Sequence, residues 1–260
     1  MKQTQNKHIE MKRHVGMLAI LLAPVAALIL GAVVPEVSAQ PECFFNIELN
    51  ATDRDVGVRG FFDYDPWKEL EIENPRGRTI VEVEAEKSMK RQGFAEWFYE
   101  SGEPPLDEVS FKKFFRRFPE GDYEFEAEPI KGGEVECVAE FTHVIPCGPV
   151  PTADVDKDAG IVTISWHDVE YVVDTEATDD TGGTEIVCTT PDPEDPLVIE
   201  SYEIILEGED TEFNFIVSAD TTQLILPLAI LEKNIEYKYE VLAIEESGNQ
   251  SITEAFFMTP

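Results

Sequence analysis

Apolar and polar residues alternate along most of this chain. Phe45, Ile47 and Leu49 are interleaved with Asn46, Glu48 and Asn50; Val81, Val83 and Ala85 with Glu82, Glu84 and Glu86; Tyr123, Phe125 and Ala127 with Glu124, Glu126 and Glu128. A period of two places every second side chain on one face, so each run predicts a strand with one buried side. Asn74-Pro75-Arg76-Gly77 lies between Leu70–Glu73 and the strand beginning near Thr79. Proline presets such a turn and glycine lets the chain leave it, which predicts a hairpin. One segment breaks the alternation. Phe111, Phe114, Phe115 and Phe118 recur at i, i+3, i+4 and i+7, with Lys112, Lys113, Arg116 and Arg117 opposite. That spacing predicts one short amphipathic helix, with Asp107 as its cap, Leu106 and Phe111 as a hydrophobic staple, and Pro119 and Gly121 as its stop.

Ile145-Pro146-Cys147-Gly148-Pro149-Val150-Pro151 is a stiff connector, because proline fixes φ and removes a ladder donor. Beyond it, Ile161–Trp166, Ser201–Leu206, Glu212–Val217, Gln223–Leu226, Tyr237–Ala243 and Ile252–Met258 read as further strands. Leu231 precedes Tyr237 by six residues, with Asn234 between them where a left-handed residue suits a tight turn. This spacing predicts a tyrosine corner, in which the phenol at the start of a strand bonds back to the incoming loop.

The first 39 residues differ from the rest. Lys2, Lys7, Lys12 and Arg13 precede an apolar run from Val15 to Val34, which ends in Val37-Ser38-Ala39. A basic head, an apolar body and small residues before the cut predict a secretory signal peptide over residues 1–39, with an uncleaved membrane anchor as the competing reading. All four cysteines lie beyond it, where an oxidising compartment favours disulfides; four cysteines allow three full pairings. The chain carries 20 basic and 53 acidic residues, a formal charge of -33. Without residues 1–39, which hold four basic and two acidic residues, 16 and 51 remain, giving -35. Such a surface excludes nucleic acid as a partner, since a polyphosphate needs a basic face, and disfavours anionic membranes.

Trp166 at the end of one strand, Tyr202 in the next, Leu231 with Tyr237, and then Tyr239, Val241, Ala243 and Gly248 resemble a fibronectin type III domain over residues 147–260. Lys233 replaces the proline usual before the corner tyrosine, and the loop after Trp166 is expanded to Leu197 by an acidic insertion. The resemblance implies two facing sheets. It also implies that the chain enters beside the expanded loop, which would make Cys147 and Cys188 neighbours and leave Cys43 to Cys137. Residues 40–146 look like the N-terminal part of exported bacterial proteins that carry such a module. The expected fold is therefore all-β, two tandem β-sandwich domains at 40–146 and 147–260, the first with one short helix.

Chemistry is sparse in the sequence. Only His143 and His167 lie beyond the signal, and neither a nucleophile elbow, a metalloprotease helix nor a phosphate loop occurs. No catalytic residue is assigned. Paired carboxylates of a glycosidase cannot be picked by spacing among so many acids. Asp53-Arg54-Asp55 and Asp154-Val155-Asp156-Lys157-Asp158 are candidate calcium turns, because calcium takes carboxylate and carbonyl oxygens; the second lacks an EF-hand's closing glutamate, having Ser165 there. No other cofactor is implied. The expected function is a secreted or periplasmic, non-enzymatic interaction or spacer protein whose partner is a protein or glycan. The alternative is an exported hydrolase or a calcium-dependent binding protein with an acidic site in the first domain.

Overall fold

The computed structural model describes residues 40–178, 183–194 and 196–260, so the expected signal segment lies outside the described residues. The first half contains β1 (Glu42–Asn50), β2 (Asp55–Asn74), β3 (Arg78–Glu84), α1 (Met89–Gln92), β4 (Phe94–Glu100), α2 (Phe111–Arg117), β5 (Gly121–Pro129) and β6 (Val135–Phe141). Its organising element is β2, whose register shifts around Asp63–Trp67, where Pro66 contributes no ladder donor. Before that break β2 pairs with β1 and β4; after it, with β3 and β5. One long strand thus serves two leaves. The leaves face each other across a core in which Phe45 stacks on Tyr123 at 4.2 Å and Phe62 on Phe125 at 6.2 Å. The Cys43–Cys137 disulfide ties β1 to β6.

Two short helices are present where one was expected, α1 being a single turn. The capping expectation for α2 is corrected. Residues 105–109 form their own turn, with the amides of Glu108 and Val109 donating to Pro105 O at 2.8 and 3.0 Å, and the helix starts only after Ser110. Asp107 instead lies on the surface, 3.8 Å from Arg54. Leu106 and Phe111 are both buried in the first core, and of the aromatic stripe Phe111 and Phe114 are buried while Phe115 and Phe118 are half-buried.

The second half contains β7 (Thr152–Asp156), β8 (Ile161–Ser165), β9 (Val172–Val173), β10 (Cys188–Thr189), β11 (Ile199–Glu207), β12 (Glu212–Ser218), β13 (Gln223–Pro227), β14 (Glu236–Glu245) and β15 (Gln250–Met258). A three-stranded sheet, β13-β8-β7, faces the four strands β12-β11-β14-β15. Between them lies a core of Val162, Ile164, Trp166, Tyr202, Ile204, Leu206, Leu231, Tyr237, Tyr239 and Val241. This is the seven-strand, two-sheet sandwich that the fibronectin type III resemblance implies.

The halves share one sheet. β1 pairs in parallel with β15 through Glu48↔Gln250, Leu49↔Ser251 and Asn50↔Ile252, so the ladder runs unbroken from β12 to β6. Ile145 and Cys147 of the connector are buried in the first core, as is Val173 of β9, which lies in the expanded loop. That loop folds back along the connector, with the amides of Val173 and Cys147 donating to Ile145 O and Tyr171 O at 2.9 Å each. The Cys147–Cys188 disulfide closes it. A disulfide of this kind stabilises by about 2–4 kcal/mol.

Candidate functional site

Among the described residues, most buried polar side chains lie at the seam where the halves meet. The turn between β14 and β15 places Asn249, 1 % exposed, over the start of the connector. Its Nδ2 donates to Val144 O at 2.7 Å, to Thr142 Oγ1 at 2.9 Å and to Thr142 O at 3.2 Å, while its Oδ1 accepts the amide of Ile47 at 2.7 Å. Ser251 donates to Pro146 O, and Asn46 Nδ2 donates to Gly248 O at 2.7 Å. Further along, the amide of Ala51 donates to Ile252 O at 2.9 Å and that of Glu254 to Thr52 Oγ1 at 3.0 Å. The turn is held by Glu245, whose carboxylate accepts the amides of Ser247 and Asn249 at 3.1 Å each. Gly248 adopts φ 87°, which suits glycine there. Burial raises the Glu245 carboxyl above its ordinary range, partly offset by the Ser247 bonds.

Beside the seam lies a carboxyl pair. Glu48, 9 % exposed, accepts from Arg59 Nη1 at 3.1 Å and from Gln250 Nε2. Glu103 lies over Gly57, the cross-strand partner of Glu48: a Cβ at Gly57 would sit 2.8 Å from Glu103 Cγ. Burial, opposed by Arg59, raises Glu48; burial together with the charges of Glu48 and Asp55 pushes Glu103 up to about 7. A carboxyl whose pKa is higher folded than unfolded binds more protons in the native state between the two values, so stability falls as pH rises through that interval. From the ordinary value of 4.5 to about 7, stability is therefore expected to decline, and Glu103→Gln to flatten that slope. Urea titrations at several pH values measure this; an unchanged slope in the variant would remove Glu103 as its source.

The corner residues are brought together as their spacing predicts. Tyr237 is fully buried, and its hydroxyl accepts the amide of Glu232 at 3.0 Å. It lies 2.7 Å from Thr211 Oγ1, which donates onward to Glu232 Oε1 at 2.7 Å. Asn234 has φ 59°. The bonds from Thr211 and the Asp210 amide hold the Glu232 carboxyl below the usual range. Tyr202 performs a second pinning, its hydroxyl accepting the amide of Val169 at 3.0 Å while its ring packs 5.4 Å from Trp166. Tyr237→Phe leaves the Glu232 amide without its partner, a loss of about 1–3 kcal/mol, readable as a lowered urea midpoint.

The acidic residues of the two turns are placed as follows. Asp53 lies in the β1–β2 turn, where Asn50 Oδ1 accepts the amides of Thr52 and Asp53 at 3.0 and 2.9 Å; Asp55 begins β2 opposite Asn50. Asp154 lies in β7, and Asp156 Oδ1 closes its own turn by accepting the amides of Asp158 and Ala159 at 2.9 and 2.8 Å. Among the described residues, no group of three or more His, Cys, Asp or Glu side chains is placed to hold a metal ion. His143 packs at 3.7 Å on the ring of Phe115, with Nε2 2.8 Å from Phe118 O.

No protein-family model matches the chain, and no curated protein matches it in sequence. Among solved structures, a chicken contactin-1 segment of domains FN1–FN3 is 11% identical, with 85% of this chain and 67% of that one covered and a TM-score of 0.34. A segment of two fibronectin type III domains from chicken tenascin is 13% identical over 85% of this chain and 100% of that one, with a TM-score of 0.28. A structure described as a myokine is 23% identical over 44% of this chain and 98% of that one, also with a TM-score of 0.28. Overlaps of this size carry no argument about function, and the fold rests on the strand order and the tyrosine corner.

The arrangement at the seam is suited to fixing geometry. Its side chains bridge strands about two hundred residues apart and leave Asn249 fully committed. The residues that do this, Asn46, Glu48, Asn249 and Gln250, carry no chemical signature in the sequence. Only the Gly248-Asn249 turn signal marks their neighbourhood.

Proposed function

We propose that this chain is an exported, non-enzymatic spacer and interaction protein in which a fibronectin type III-like sandwich and the preceding β-sandwich act as one stiff unit. The observation that carries this reading is the parallel β1–β15 ladder, beside which Asn249, Ser251 and the disulfide-closed loop all hold the connector. A flexible tether between modules would need none of these contacts, since linkers reach furthest when unpaired. Two disulfides suit an oxidising compartment, and among the described residues no helix is long and apolar enough to cross a membrane. The Glu48–Glu103 pair favours a second reading, acid-assisted hydrolysis, because raised carboxyl pKa values recur at catalytic sites. A panel of glycoside and ester substrates separates the two. No turnover is expected; turnover that Glu48→Gln abolishes would overturn the proposal.

A further inference from the structure

Among the described residues, two oppositely charged faces of this chain make no ion pairs. On α2, Lys112, Lys113, Arg116 and Arg117 are all exposed at i, i+1, i+4 and i+5, so they share one side of the helix. Lys112 and Arg116 line a groove that Glu176 also borders, yet among the described residues none of the four cations makes an ion pair. Among the described residues, the polar contact their side chains make is to backbone: Lys113 Nζ donates to Glu108 O at 3.2 Å.

The complement lies on the outer surface of the first sandwich. Glu82, Glu71, Glu126 and Glu136 stand directly opposite one another in sequence across β3, β2, β5 and β6, forming one rung of four carboxylates. Like charges placed directly across a sheet destabilise it, and among the described residues none of these four has a cation within ion-pair distance. Glu126 is raised by burial and by the neighbouring carboxylates. The next rung, Glu84, Glu69 and Glu128, is partly neutralised by Lys68 and Lys90. The rung points away from the core side of Leu70 and Ile72, and the cations of α2 point away from Phe111 and Phe114, which are buried in the same core. The two faces therefore cannot close on each other within one molecule.

We infer that the α2 cations of one copy dock on the β3-β2-β5-β6 carboxylate rung of a second copy, giving head-to-tail self-association. Such an interface joins different patches on the two partners, so it repeats into chains or rings. The inference rests on charge placement and does not require the spacer reading. One short helix face contributes a small contact, which sets the association in the weak, transient class. Net charge and local complementarity act in opposite directions. At very low ionic strength the excess negative charge keeps copies apart. Near 0.15 M that repulsion is screened beyond about 8 Å while the contact persists, and near 1 M, where the screening length is about 3 Å, the contact itself is lost.

Sedimentation velocity on residues 40–260 at up to ~0.5 mM is the test, because weak interfaces of this class need high concentration. Association should peak at intermediate salt and vanish at high salt. Lys112→Glu/Arg116→Glu and, separately, Glu82→Lys/Glu126→Lys should each weaken it by about tenfold or more, as like-charge juxtaposition does. The second variant turns the rung into an alternating Lys-Glu-Lys-Glu row, so its folded stability should not fall, which separates lost docking from unfolding. Mixing the two variants restores complementary faces and should restore association. A monomer at every salt concentration, association that ignores both charge reversals, or failure of the mixture to recover would each overturn the inference. A monomer that binds a basic peptide would also overturn it, in favour of a foreign cationic partner.

Discussion

Asn249→Ala is expected to destabilise the chain by about 3 kcal/mol. Leaving a buried donor or acceptor unpaired costs about 1–3 kcal/mol each, and this substitution strips the amide of Ile47 and the carbonyl of Val144 at once. Both groups sit at the seam, so the loss should appear in the two halves together. Trp67 and Trp97 report on the first half and Trp166 on the second. Urea unfolding followed by tryptophan emission should show an earlier midpoint, and hydrogen exchange should show faster exchange at Ile47 and Ala51. A loss below about 1 kcal/mol would mean that water replaces Asn249 without penalty.

Gly60→Val is expected to disrupt β4. Gly60 is the cross-strand partner of Tyr99, whose ring lies against it: a Cβ there would stand 2.0 Å from Tyr99 Cε1 and 2.6 Å from Cζ. The ring has to leave, giving up its 4.6 Å stack with Trp97. Overpacking of this kind costs about 1–3 kcal/mol, and the β-branched valine adds rigidity where the ring needs room. A double-mutant cycle identifies the cause. In a Tyr99→Ala background the glycine substitution should be far cheaper, because the two residues are in contact. Equal costs in both backgrounds would mean that backbone freedom, not the ring, makes glycine necessary.

How much of this was legible in the sequence depends on the distance over which each contact acts. Alternation found β1, β3 and β5, and the Asn74–Gly77 turn gave the β2–β3 hairpin, because both signals are local. The Leu231–Tyr237 spacing placed a buried phenol at a bend for the same reason. The start of β2 was hidden: Asp63, Asp65 and Pro66 interrupt its pattern, and Asp55 looked like part of an acidic loop. β4 escaped because FAEWFYE alternates only weakly and both its faces carry aromatics. The β1–β15 pairing joins segments about two hundred residues apart, and a parallel register leaves no periodic trace. The Glu48–Glu103 pair was one of very many possible carboxyl pairs, and only the sheet register selects it. The four-glutamate rung was visible strand by strand, but its alignment across β3, β2, β5 and β6 belongs to the tertiary fold.

Differential scanning calorimetry of residues 40–260 tests the stiff-unit account most directly. If the shared ladder and the Asn249 seam couple the two cores, heating should give one transition whose calorimetric and van't Hoff enthalpies agree, as for a single cooperative unit. Two separable transitions, with the core around Trp166 and the core around Trp67 melting independently, would contradict it.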